Sequence, residues 1–510
     1  MSVTYGKGQD SVSINADLSL AEAGTGSDSV SSVIVTLKSL SDDGVGVDTA
    51  GATWGVFSFR IVTTGADTFE LPINGGGSGY KHNFVVDWGD GGATSRITAY
   101  NDSDRTHSYA GAGTYDITIA GICEWFCFNN GGDKGLVTEL LSFDGDLGLK
   151  VLNFTGCNYL TTAVPLGTLA SLTTAYYMFD SCYALAAIPA GLFDGCPNIL
   201  SFQGCFRYCT STSLTSIPAG LFDVCTSATS FAAAFYNCTK ITAIPDDLFK
   251  YNTVVTSFAQ LFMGVSAMGL TSIGNPNFRT TASCTFADCF RYCSSLTSIP
   301  ANLFDICVNA NSFQETFYTC VNLTAIPDDL FKYNTAVTSF VNTFYQCANL
   351  TSTGSPNFRT TAACSFASCF ENCMGLTSIA SGLFDTCVNA TSFAGTFKTC
   401  YSLASIPANL FDNNVAVTTF NSVFYGCNNA SLTEAINGDI FKYNVVAVNY
   451  GNAFYDCHHL TGHGWGPAED ANTIMYWPTQ PGHSAATVTA GCFGLCAALT
   501  DYADIPAEWK

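Results

Sequence analysis

The chain has 510 residues, 47% hydrophobic and only 11% charged, which excludes a disordered polypeptide and exceeds one ordinary compact domain. Its 40 acidic residues against 18 basic ones leave a formal charge of −22, a sign that repels nucleic-acid phosphates and anionic lipid. No uninterrupted apolar run is long enough for a transmembrane helix, so neither nucleic-acid binding nor membrane insertion is expected.

Residues 1–52 carry a G-x-G-x-D core three times, at Gly6/Gly8/Asp10, Gly24/Gly26/Asp28 and Gly44/Gly46/Asp48, with alternating stretches such as SVIVTLKSL between them. Alternation reads as extended, hairpin-forming β arms. A calcium roll would need tandem nonapeptides, and these cores lie 18 and 20 residues apart. The chain opens without a basic stretch followed by an apolar run, so a Sec leader is not expected. The pattern resembles the Gly/Asp/Ser-rich N-terminal segments of phage structural proteins. That implies a docking segment for other virion proteins.

Residues 53–125 pair FVVDWGDGG (84–92) with THSYAGAGTYDITIAG (106–121). The first holds a turn signal and the second a period-two strand. Asp87 and Asp90 are expected to hold the turn through backbone hydrogen bonds; a metal or catalytic pair is the alternative. With His107, Tyr109, Gly113 and Tyr115 in place, the segment resembles a PKD-type β-sandwich, a spacer module.

From 126 to 510 the chain repeats itself. Phe193, Phe222, Phe249, Phe278, Phe304, Phe331, Phe358, Phe384, Phe411 and Phe441 recur at intervals of 26 to 30 residues, near 27. A longer period lies above it: Phe222, Phe304 and Phe384 open near-copies 82 and 80 residues apart, so triplets were copied as blocks. Within a repeat, Phe393, Phe397 and Cys400 stand at i, i+4, i+7, the spacing of one helix face. LASIP then reads as a short strand ended by Pro407. One such unit cannot bury its apolar face alone, whereas stacked copies form a continuous core.

One cysteine per repeat falls in a column: Cys182, Cys209, Cys238, Cys293, Cys320, Cys347, Cys373, Cys400, Cys427, Cys457 and, near the end, Cys496. The Phe262 repeat breaks it, with Gly264 near the slot. Buried free thiols are expected here, with disulfides between neighbouring turns and a metal site as the alternatives. The repeats resemble bacterial surface leucine-rich repeats of the BspA type, in VTSFVNTFYQCANLTSTGSPNF and its siblings. The resemblance implies an adhesive α/β solenoid of about eleven leucine-rich repeats with a C-terminal cap.

Chemistry is sparse. No G-x-S-x-G elbow, P-loop or H-E-x-x-H occurs. His458, His459 and His463 cluster without a carboxylate at ligand spacing and read as a loop. Asp246/Asp247 and Asp328/Asp329 recur with the repeat and read as solvated turns. The functional lead is FKYN, whose Tyr251, Tyr333 and Tyr443 form a spaced row of candidate binding residues; packing on a neighbouring turn is the alternative. The expected protein is therefore a non-enzymatic bacteriophage virion protein without cofactors: a tail-fibre, tail-tip or capsid-attached adhesin. Its expected partner is a host-surface glycan or protein receptor, and a homo-oligomer is compatible. A bacterial cell-surface adhesin is the alternative.

Overall fold

The computed structural model describes residues 55–510 apart from 266–269, 408, 433–439, 445, 462–489, 500–501 and 506. The docking segment expected over 1–52 and His463 lie outside the described residues. Two compact units are present: residues 1–201 with 209–213, and residues 202–208 with 214–510.

Unit one begins with strands β1 (Val56–Thr63), β2 (Asp67–Glu70), β3 (His82–Asp87), β4 (Ser95–Ile97), β5 (Thr106–Tyr109), β6 (Gly113–Cys123), β7 (Trp125–Cys127), β8 (Val137–Asp144) and β9 (Val151–Asn153). An antiparallel sheet runs β4-β3-β6-β1-β8, beside the antiparallel pair β2-β5 and the parallel pair β7-β9. Alternation fixes the buried face: Phe57, Phe59 and Ile61 of β1 point inward with Ile117 and Ile119 of β6. Phe57 stacks on Phe143 at 4.4 Å and meets Phe126 edge-on at 5.2 Å.

The WGDG turn and β5 meet in space. Asp87 and Asp90 accept hydrogen bonds from the Gly89 and Gly92 amides at 3.0 and 2.9 Å, the turn-holding role. His107 stacks on Trp88 at 4.9 Å and bonds Asp90 at 2.8 Å, and the Tyr109 hydroxyl donates to the Trp88 carbonyl.

In unit two the chain winds into stacked coils. The expected helix is corrected here: no described residue between 386 and 407 is helical. The amides of Phe393, Gly395, Phe397 and Thr399 donate to Thr419, Asn421, Val423 and Tyr425 of the next coil. Those of Thr396, Lys398 and Cys400 donate three residues back, to Phe393, Gly395 and Phe397, and that of Ala394 to the Ser392 hydroxyl. Every second N–H thus leaves for the neighbour, which an α-helix forbids. The same alternation runs through 313–320.

Two residues per coil take positive φ to make this path, such as Gly395 (64°) and Thr399 (57°), or Asn342 (55°) and Gln346 (57°). Each lies at the third position of a four-residue turn, as a type II turn requires. Phe393 and Phe397 point inward because two successive turns also advance four residues. Three phenylalanine columns result: Phe358–Phe384 at 5.9 Å, Phe366–Phe393 at 5.4 Å and Phe370–Phe397 at 5.5 Å, all near parallel. Short parallel pairs, β10 (Cys284–Thr285) with β11 (Ala310–Ser312) and β12 (Cys364–Ser365) with β13 (Ala390–Ser392), join coils elsewhere on the turn.

Candidate recognition surface

FKYN turns one side chain in, two out and one in. Phe249, Phe331 and Phe441 sit in the core, and Tyr251, Tyr333 and Tyr443 are nearly half exposed, at 47%, 48% and 47%. Each ring is capped by the lysine before it, at 4.8, 4.8 and 5.5 Å. The asparagine then returns inward. Asn334 donates from Nδ2 to the Phe304 and Cys307 carbonyls of the preceding coil at 3.1 and 2.8 Å, and Asn252 and Asn444 do the same one coil back.

The three tyrosines share a column but do not touch. Three coil steps separate Tyr251 from Tyr333 and four separate Tyr333 from Tyr443, roughly 15 and 20 Å at one strand spacing per step. The five positions between them hold buried Thr280, exposed Ile306, buried Thr360, exposed Thr386 and exposed Asn413.

A closer-knit row lies one residue after the second phenylalanine of each coil, at Arg291, Tyr318, Tyr345, Glu371, Lys398, Tyr425 and Tyr455. The Arg291 guanidinium lies 4.4 Å from the Tyr318 ring centre and pairs with Asp288 and Glu315. Tyr318 stacks on Tyr345 at 4.5 Å with planes 7° apart. Asn372 donates to the Tyr345 hydroxyl, and Lys398 bonds Glu371 at 2.9 Å and faces Tyr425 at 5.9 Å. Tyr425 stacks on Tyr455 at 5.2 Å. These side chains are half-buried, and stacking occupies one ring face of each of the four tyrosines. The sequence signal was present in FRYC, FYTC, FYQC, FKTC and FYGC, but the residue type at the second position varies from repeat to repeat, which hides the row.

The column cysteines are all buried. Each thiol donates to a phenylalanine carbonyl one coil back. In unit one, Cys182 and Cys209 donate to Phe154 and Phe179 at 3.4 and 3.2 Å. In unit two, Cys238, Cys293, Cys320, Cys347, Cys373, Cys400, Cys427 and Cys457 do so at 3.0 to 3.3 Å. Val265 fills the slot in the Phe262 repeat. Cys307 and Cys387 contact the Phe278 and Phe358 carbonyls from the slot that asparagine fills in FKYN. Sequence reading took the column thiols as compact apolar filler; in the separate slot of Cys307 and Cys387, interchange of Cys with Asn was the sign that a short donor is needed. All 24 cysteines are free, and burial pushes Cys293, Cys373 and Cys427 up to about 12, far from reactivity. Among the described residues no three His, Cys, Asp or Glu side chains are placed to hold a metal ion. His458 bonds Asp456 at 2.7 Å and the Leu495 carbonyl at 2.8 Å.

No family model and no curated protein matches the chain. Among solved structures it is similar to TLR13 in complex with ssRNA13, at 11% identity and a TM-score of 0.20, over 62% of this chain and 48% of that one. It is similar to a leucine rich cell surface protein of Faecalibacterium prausnitzii, at 17% identity and 0.19, over 49% and 76%. A third is the Toll–Spatzle complex of Drosophila, at 14% and 0.19, over 59% and 48%. The chain spans about half the length of the first and third. At these scores the superpositions carry no argument, and the coils described above stand on their own bonding.

Proposed function

We propose that the chain is a non-enzymatic attachment protein whose coils present the row from Arg291 to Tyr455 to a receptor. The observation that carries this reading is the row itself: seven consecutive coils hold rings and charges in two contacting runs, Arg291–Tyr318–Tyr345 and Glu371–Lys398–Tyr425–Tyr455, with near-balanced charge. Rings stacked in pairs, with Arg291 beside Tyr318 and Lys398 facing Tyr425, leave fewer faces for sugar stacking. Their hydroxyl edges suit a polar protein surface on the host, with glycan as the lesser fit there. Tyr251, Tyr333 and Tyr443 are spaced contacts of the same kind.

The BspA-type resemblance supports a leucine-rich repeat adhesin, and the PKD-type resemblance supports a spacer before it. We place the protein on a bacteriophage particle, as a tail-fibre, tail-tip or capsid-attached protein docked through residues 1–52, because that segment resembles those of phage structural proteins. A bacterial cell surface is the second placement. Mass-spectrometric inventory of purified virions decides between them. For the surface, Tyr318→Ser with Tyr345→Ser should weaken attachment to host cells more than Tyr251→Ser, Tyr333→Ser and Tyr443→Ser together. Attachment unchanged in both variants would refute the role of the coils.

A further inference from the structure

The turns that carry Tyr333 and Tyr443 also carry a charge pattern. One residue after each phenylalanine of the column from Phe304 to Phe441 stands an ionised side chain: Asp305, Lys332, Arg359, Asp385, Asp412 and Lys442, each exposed or half-exposed. Most of the large exposed apolar side chains between 304 and 446 lie one to four residues further on, with Ile306 and Val308 at one end and Tyr443 and Val446 at the other. The phenylalanine columns beneath keep steps of 5.1 to 6.1 Å over these coils, so the coils stack nearly parallel and the face is close to flat.

In chain order the six charges run minus, plus, plus, minus, minus, plus. A two-fold axis lying across the face, between the Phe358 and Phe384 coils, sets each against its opposite. Arg359 meets Asp385 of the second copy, Lys332 meets Asp412 and Asp305 meets Lys442, and symmetry makes every pair twice. Lys332 already bonds Asp329 at 3.3 Å, so its pair adds least. Moving the axis by one coil sets like against like: Lys332 on Arg359 and Asp305 on Asp385 in one direction, Asp385 on Asp412 and Arg359 on Lys442 in the other. The favoured axis also brings Ile306 and Val308 onto Tyr443 and Val446, an apolar cluster at each end.

We propose that this face docks a second copy of the chain, antiparallel, about that axis. Five coil steps span roughly 25 Å, a narrow contact, so the dimer is weak and salt-sensitive. Tyr318 and Tyr333 stand about half a repeat apart, so pairing leaves the row from Arg291 open on both copies. Tyr333 and Tyr443 then serve the second copy rather than a receptor, and Tyr251 lies beyond the paired span. The inference goes beyond the attachment reading and does not rest on it.

Sedimentation velocity of the full chain, kept reduced, should show a monomer–dimer equilibrium that moves toward monomer between about 50 and about 500 mM salt. Arg359→Asp and Asp385→Arg each create a like-charge contact twice, so either should weaken dimerisation about tenfold or more. Mixing the two variants should restore the dimer, because the new aspartate then meets the new arginine while Asp385 still meets Arg359. Restoration also shows that both variants fold. Should a reversal lose its circular dichroism, Ile306→Ser decides instead: it removes an apolar contact at each end and should weaken the dimer. Tyr318→Ser with Tyr345→Ser should leave dimerisation unchanged, which keeps this test apart from that of attachment. A monomer at every concentration and salt, a dimer indifferent to these changes, or folded reversal variants that stay monomeric when mixed would overturn the proposal.

Discussion

Raising the pH above 9 should destabilise unit two by titrating its buried thiols. Burial holds Cys293, Cys373 and Cys427 up to about 12, against an ordinary 9.0. A thiol raised in the fold stays protonated there while the unfolded chain gives its proton up. Stability is therefore complete well below pH 9 and falls as the pH climbs through 9 toward 12. At about pH 10 each such thiol removes about 1.4 kcal/mol, one pKa unit. Three together remove about 4 kcal/mol, against the 5–15 kcal/mol of an ordinary domain. Cys320, Cys347 and Cys400 are shifted in the same direction by the same burial. The assay is urea unfolding of reduced protein by far-ultraviolet circular dichroism at about pH 7.5 and about pH 10, beside Cys373→Ser. Serine keeps a short donor to the Phe344 carbonyl and does not titrate in this range. Lysines and tyrosines titrate alike in both proteins and cancel. The variant should lose about 1.4 kcal/mol less than the parent between the two pH values. Equal losses would refute the buried-thiol reasoning.

Denatured, unreduced protein should react with a thiol reagent at close to all 24 cysteines; almost no reaction would mean disulfides. Asn334→Ala should cost about 1–3 kcal/mol in urea unfolding, since it strips the donor from two buried carbonyls. Asn334→Cys should cost less, because the Asn334 Oδ1 is buried without a partner and cysteine brings no such oxygen. Gly426→Val puts a β-branched residue at φ 72° and should lower stability by about 1–2 kcal/mol or more, whereas Ser422→Gly, at φ 56°, should be neutral or stabilising.

The period, the buried cysteines and the strand character of 84–121 were legible in the residues. The coil path was not, because Phe393, Phe397 and Cys400 are spaced four and three apart both on a helix face and along successive type II turns. Patterning sees which side chains point inward and not which neighbour takes each amide. The distinguishing signal is weak: residues at ease with positive φ recur two before each second phenylalanine and two after it, as at Asn342, Gly395, Asn372 and Gly426, but Gln346 and Thr399 interrupt it. The Arg291–Tyr455 row was missed for a different reason: its position changes residue type from repeat to repeat, so no constant residue marks it.

The copied blocks meet at matching joints. Phe286 meets Phe304 at 4.9 Å and 62°, and Phe366 meets Phe384 at 4.9 Å and 60°. Asn309 donates to Thr281 at 2.8 Å, as Asn389 does to Thr361. Excising residues 304–383 would bring Phe384 beside Phe286 in the place Phe304 holds now, leaving the core phenylalanines and the asparagine donor at the seam with equivalent partners. Recombination between the gene's own near-identical stretches can therefore lengthen or shorten the protein by whole triplets without asking it to find a new fold. The number of coils, and of row positions they carry, becomes a heritable quantity that changes in steps.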